Sequence, residues 1–411
     1  MAFRTSDETN RRRAHRSLVA LAVALACAIA ACSSSSDEGA SSDTAPAVTS
    51  ESDSVGSTSP DIAAGSAGPG AGAPIDDYDT TEPGPEDDAP TGTATAYPLN
   101  VEHVFGDTTI EQRPERVVTI GVAEHEYTMS LGVTPIGLRA YAPGQSFTVW
   151  PWAQDELGAA EPVVINAVGL NIEQIASLDP DVIMAVTSAI DDAEYALLSQ
   201  IAPTVARPPG TRYQGIEWRQ VLAIHGSVLD RNVEVTEVES HLDELFAATR
   251  AAHPEFADST VSVLFYNGPG EVGTYTPRDV LYQFMAELGI APAERLDELT
   301  AAAVRAYPIS DELLDQLEAD VVVWLPAGGL GPQSLNDIST REALLTAPSR
   351  RSEVFVDAVL RSALFNTSPL SAEYIVERMV PELSAALDGE LDTVPASTAA
   401  AYGIDDAFVP S

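Results

Sequence analysis

The stretch RPERVVTIGVAEHEYTMSLGVTPIGLRAY, residues 113–141, decides the fold. Its β-branched run RVVTI (116–120) reads as a strand. AEHEYTMSLGV (123–133) reads as a helix that ends near Gly132, and PIGLRAY (135–141) as a second strand. Strand, helix and strand in this order form a β-α-β unit, in which the two strands lie parallel and the helix covers one face.

The same alternation continues downstream. NIEQIASLDP (171–180) reads as a helix stopped by Pro180, and DVIMAV (181–186) as a strand. AEYALLSQIAP (193–203) follows as a helix and TVARP (204–208) as a strand. A largely parallel sheet with helices on both faces is expected, forming a first lobe over 98–230. Between 231 and 252 comes a long amphipathic helix, with Val235, Val238, Leu242, Leu245 and Phe246 on one face and Asp230 as expected N-cap. After Pro254 the alternation restarts. VSVLFY (261–266), VVVWL (321–325) and EVFVD (353–357) read as strands. PRDVLYQFMAELG (277–289), SDELLDQLEAD (310–320) and SAEYIVERMVPELSAAL (371–387) read as helices. The expected fold class is α/β: two Rossmann-like lobes, 98–230 and 254–392, joined by one bridging helix at 231–253, with a ligand cleft between them and a tail at 393–411.

Upstream the composition changes. Arg4, Arg11, Arg12, Arg13 and Arg16 precede an apolar run from Leu18 to Ala31, too short to span a bilayer and fitting a secretory signal. Cys27 and Cys32 are the only cysteines. Ile29-Ala30-Ala31-Cys32 resembles the bacterial lipoprotein box, which implies removal of 1–31 and a diacylglycerol on Cys32. Residues 32–97 are rich in Ser, Gly, Pro, Asp and Glu, and no Arg or Lys occurs between Arg16 and Arg113. Such a segment buries too little apolar surface to offset its ordering entropy, so a disordered acidic spacer is expected.

Charge narrows the partners. The chain carries −41, and all 21 basic residues are Arg. Residues 1–31 hold five Arg against Asp7 and Glu8, so the remainder carries −44. This argues against nucleic acid as a partner, and against adhesion to anionic lipid by charge. A P-loop is excluded because its lysine is missing.

The globular region is similar to the periplasmic-binding family for iron-siderophores and cobalamin. The resemblance rests on residues 113–141, WPWAQDELG (150–158), GLNIEQIASLDPDVIMA (169–185), IAPTVA (201–206), AAHPEFADSTVSVLFY (251–266), LEADVVVWL (317–325) and NTSPLSAEYIVERMVPEL (366–383). WPWAQDEL and SPLSAEY resemble the actinobacterial iron-siderophore branch. The resemblance implies ligand held between the lobes, with little hinge closure because one helix spans both. It further implies one acidic residue on each lobe that docks into arginines of a membrane permease, here Glu173 and Glu312.

A ferric siderophore brings iron already wrapped in its own oxygens, so the protein supplies aromatic walls and arginines rather than metal ligands. Candidates are Arg139 and Tyr141 at a strand end, and Trp150 and Trp152 in a Pro-punctuated loop. Arg212, Tyr213, Tyr275, Arg278, Phe365 and Asn366 lie in later loops or at a helix start. Trp324, after VVV, is a candidate that also reads as core, and Arg278 also reads as a partner for acids near its helix.

No metal site is expected. His103, His125, His225, His241 and His253 show no HxH or HExxH spacing. Glu124-His125-Glu126 reads as a solvated helix start. GPGEVG (268–273) and AGGLG (327–331) lack GxGxxG, no GxSxG occurs, and no cofactor or enzyme is expected. The expected protein is a monomeric, lipid-anchored, extracytoplasmic receptor that captures a ferric siderophore for an ABC importer. Haem, ferric citrate or cobalamin as ligand, or an envelope scaffold on the same fold, stand as alternatives.

Overall fold

The computed structural model describes residues 94–139, 150–165, 169–211, 215–268, 270–303, 306–327, 352–390 and 394–402. The expected signal segment, Cys32 and nearly all of the spacer lie outside them. Among the described residues no helix is long and apolar enough to cross a membrane.

The chain enters through a hairpin of β1 (Leu99–His103) and β2 (Gly106–Ile110), which the sequence reading passed over. The first lobe then follows: β3 (Val117–Thr119), α1 (Glu124–Ser130), β4 (Gly137–Arg139), α2 (Gln154–Leu157) after a 3-10 turn at Pro151–Ala153, and β5 (Val163–Ile165). Next come α3 (Ile172–Ser177), β6 (Val182–Ala185), α4 (Asp192–Leu198), β7 (Thr204–Ala206) and α5 (Trp218–Leu229). The strands form a sheet in the order β5-β4-β3-β6-β7, with every pairing parallel. Helices cover both faces, so the central strands are apolar throughout: Val117, Val118, Val182, Ile183 and Met184 are all fully buried. The chain leaves β3 to one side through β4 and β5, then returns to the other through β6 and β7. That reversal opens a crevice beyond the carboxyl ends of β3 and β6.

The bridging helix is α6 (Asn232–Ala252). Val235 packs into the first-lobe core, Leu242 and Phe246 into the second-lobe core, and Val238 against both. One apolar stripe therefore holds the two lobes on one rod. Asp230 does not cap this helix. It ends α5 in the left-handed conformation, φ 56°, which Asp tolerates, and its Oδ1 accepts the Thr95 amide at 2.7 Å. Residue 231 takes the cap position without a side-chain bond.

The second lobe contains β8 (Thr260–Tyr266), β9 (Val272–Tyr275), α7 (Val280–Glu287), β10 (Ala291–Pro292), α8 (Leu296–Thr300) and β11 (Ala306–Ile309). After these come β12 (Val321–Pro326), β13 (Glu353–Phe355), α9 (Ala358–Phe365), α10 (Pro369–Leu387) and α11 (Ala396–Tyr402). Its sheet runs β11-β9-β8-β12-β13, with β10 beside β8. Strands β8, β10, β12 and β13 are parallel, whereas β9 and β11 are antiparallel and close one edge. Residues 311–317, expected as an α-helix, form a 3-10 helix. Helix α11, within the expected tail, packs on β13, where Ser397 Oγ accepts the Phe355 amide at 3.2 Å.

Candidate functional site

The crevice of the first lobe is built by one carboxylate. Glu124 opens α1 and is 0% exposed. Its Oε2 accepts the Gly121 amide and its Oε1 the Val186 amide, both at 2.6 Å. These amides belong to the loops after β3 and β6, so Glu124 ties together the two loops at the sheet's reversal point. A Cβ at Gly121 would lie 2.3 Å from both Glu124 Oε2 and Thr187 Oγ1, which is why glycine stands there. His225 Nε2 on α5 lies 3.4 Å from Glu124 Oε1, out of hydrogen-bond alignment, while its Nδ1 meets Thr128 Oγ1 at 3.2 Å.

A second carboxylate joins the lobes. Glu126 is also 0% exposed, and its Oε2 accepts from Trp152 Nε1 at 2.8 Å and from Ser368 Oγ. Ser368 is the N-cap of α10 in the second lobe and also accepts the Ser371 amide at 3.1 Å. Beside it, Tyr127 Oη donates to the Thr367 carbonyl at 3.3 Å. Burial pushes the Glu126 carboxyl up to about 7 against the pull of its two hydrogen bonds, and pushes His125 down to about 4. The solvated helix start expected for Glu124-His125-Glu126 is therefore overturned. The helix faces the other lobe and α5 rather than water, and all three side chains are buried.

Beside this joint lies an interlobe cavity of about 370 Å³, counting its open mouth. Ala123, Tyr127 and Thr187 of the first lobe face Val280, Phe365 and Asn366 of the second. Ala123 holds φ 54° at the entrance of α1, a strained conformation at the cavity wall.

The expected contact residues divide as follows. Phe365 and Asn366 line the cavity, and Tyr275 meets the Phe365 ring edge-on at 5.7 Å between centroids. Trp150 and Trp152 stack at 5.3 Å and 10°, and Trp152 packs on Tyr374 of α10 at 5.2 Å. Arg139 ends β4, half-buried. Arg278 is exposed in the turn before α7 and pairs with no acid among the described residues. Tyr141, Arg212 and Tyr213 lie outside the described residues. Trp324 is corrected: it is 0% exposed in the second-lobe core, with its indole donating to Glu353 Oε1 at 2.9 Å. A central parallel strand has no solvent-facing side to offer a ligand. Glu173 and Glu312 are both exposed, each at the start of a helical segment.

Three residues at the cleft went unremarked in the sequence. Tyr374 and Ser368 sit in the SPLSAEY motif, where Ser before Pro and a second Ser at N3 signals an N-cap but not a reach to the other lobe. Arg361 places its guanidinium 5.0 Å over the Phe365 ring, and its Nε has no hydrogen-bond partner. Burial lowers its pKa, with Tyr275 opposing.

Comparison with known proteins places this geometry. Over 244 residues the chain is 25% identical to the ferric-anguibactin-binding protein FatB of Vibrio anguillarum, covering 55% of this chain and 67% of FatB. A periplasmic solute binding protein of Mycobacterium smegmatis is 30% identical with a TM-score of 0.58, over 70% of this chain and 98% of that one. PiaA of Streptococcus pneumoniae, solved in complex with ferrichrome, shares the fold: 24% identity and a TM-score of 0.61 over 71% of this chain and 99% of PiaA. A family profile described as periplasmic binding protein matches residues 122–376, from the loop after β3 to the middle of α10. That span takes in most of both lobes and the whole helix between them, and the chain belongs to the periplasmic binding protein family.

Proposed function

We propose that this chain is an extracytoplasmic receptor that binds a ferric siderophore between its lobes and delivers it to the permease of an ABC importer. The observation that carries the reading is the cavity itself. It lies at the first lobe's reversal point, where α/β sheets bind ligands, and its second-lobe wall carries the Phe365 ring, with Tyr275 edge-on to it and the Arg361 cation over it. An aromatic ring with a cation beside it suits a bulky chelate that presents oxygen to its surroundings. The names of two relatives support the ligand class: FatB binds ferric-anguibactin and PiaA was solved with ferrichrome.

Arg139, Tyr141, Trp150, Trp152, Arg212, Tyr213, Tyr275, Arg278, Phe365 and Asn366 are the residues proposed to meet or frame the ligand. Glu173 and Glu312 are proposed to dock the permease, since two exposed carboxylates, one per lobe, set orientation and speed encounter with a basic partner. Lipid on Cys32 is proposed as the membrane tether, on the strength of the Ile29-Ala30-Ala31-Cys32 box. The test is quenching of tryptophan fluorescence in the purified protein by ferrichrome, a ferric catecholate, ferric citrate, haemin and cobalamin. Saturable sub-micromolar quenching by an iron-siderophore is the expected result. Tight binding of haemin or cobalamin alone, or of nothing in the panel, would overturn the reading.

A further inference from the structure

Three polar atoms at the joint between the lobes are buried without a hydrogen-bond partner: Glu126 Oε1 and both ring nitrogens of His125. Both donors that reach Glu126 go to its other oxygen, Oε2. The orphaned Oε1 lies 3.8 Å from His125 Nε2, and no arginine pairs with Glu126 among the described residues. An ionised carboxylate here would bury a charged oxygen with no donor, a costly arrangement. A proton on Oε1 removes that cost. It makes Oε1 a donor facing a ring nitrogen that lacks one, and a shift of about 1 Å closes the bond. Oε2 keeps both of its donors in either state.

We propose that Glu126 is a positioning residue that works as the neutral acid, its proton on Oε1 directed at His125 Nε2, and that ionisation loosens the joint between α1 and α10. Other titratable groups around it are accounted for. On α1, Glu124 is held by the Gly121 and Val186 amides, and the Tyr127 hydroxyl donates to Thr367. From α5 comes His225, which faces Glu124 rather than Glu126. Helix α10 presents Ser368 and Ser371, with Tyr374 set against Trp152 and its charged Glu373 and Arg378 exposed. From the 151–157 segment comes Trp152, while Asp155 is exposed and Glu156 half-exposed. Burial moves both members of the pair in the required directions, Glu126 up and His125 down. The joint bears on the ligand wall because Asn366 and Thr367, which line the cavity, run directly into Ser368.

The test uses ligand-free protein, so its failure is distinct from failure of the proposed function. Trp152 emission is obtained from pH 5 to 9 as the difference between each protein and the same protein carrying Trp152→Phe. One transition near pH 7 is expected in the parent, and none in Glu126→Gln, whose amide keeps both acceptor bonds and offers His125 a donor. Ser368→Ala removes one donor from the carboxylate and should move the midpoint up by about one pH unit. A flat parent signal, a transition that persists in Glu126→Gln, or an unmoved midpoint in Ser368→Ala overturns the proposal. Because Ser368→Ala keeps the acid in place, the proposal stays testable even if Glu126→Gln folds poorly.

Discussion

Replacing Glu124 by alanine removes the acceptor of two loop amides at once. Gly121 N–H and Val186 N–H each donate to it at 2.6 Å, and the carboxylate is 0% exposed, so neither amide gains water in exchange. A buried donor left without a partner costs about 1–3 kcal/mol, which for two donors gives roughly 2–6 kcal/mol. Against a domain stability of about 5–15 kcal/mol the loss is severe but compatible with folding in cold buffer. Glu124→Gln keeps one acceptor oxygen and points an NH2 at the other amide, so it should lose about half as much, roughly 1–3 kcal/mol. Exposed Glu173→Ala is the control and should stay within about 0.5 kcal/mol of the parent. Urea unfolding followed by far-UV circular dichroism reads the order, and amide hydrogen exchange at Gly121 and Val186 reads the cause. A Glu124→Ala loss below about 1 kcal/mol, or full protection of both amides in that variant, would refute the reasoning.

Gly121→Ala should destabilise comparably, because its Cβ would fall 2.3 Å from Glu124 Oε2 and Thr187 Oγ1; its unfolding midpoint measures this. The pH dependence of stability has a definite sign. Glu126 binds its proton more tightly folded than unfolded, so its contribution is full below about 4.5 and is lost as pH rises through about 7, a change of roughly 3 kcal/mol. His125 is the opposite case: its contribution is present above about 6.5 and is lost as pH falls through about 4. The two slopes oppose each other between about 4.5 and 6.5, so Glu126→Gln should unmask a rise in melting temperature over that window. Phe365→Ala removes the ring that meets Tyr275 and lies under Arg361, and should weaken ligand binding at least tenfold in the fluorescence titration.

The α/β alternation was legible because buried parallel strands are short apolar runs whichever way they face. RVVTI, DVIMAV, VSVLFY and VVVWL all became strands within a residue or two of where they were read. The bridging helix was legible from its single stripe, Val235 to Phe246. The hairpin β1–β2 and the antiparallel pair β9–β11 were not: LNVEH and GDTTI carry too few apolar residues to mark a strand, and the four-residue VGTY and AYPI are broken by Gly273 and Pro308, which argue against a strand before the partner is known. At the site, the structure sets Phe365 on the cavity wall and Trp324 in the second-lobe core. What stayed hidden was the value of Glu124 and Glu126. Acids in a first helical turn usually face solvent and the helix dipole. Their burial follows from partners 62 and 242 residues away, which no local pattern reports.

The most direct test of the ligand cleft is crystallisation of the protein with ferrichrome or another iron-siderophore that quenches its tryptophans, with data collected at the iron absorption edge. The account predicts one strong iron peak between the lobes, bounded by Ala123 and Thr187 on one side and Phe365 and Asn366 on the other. An iron peak on an outer face of either lobe, with that cavity unchanged, would contradict it.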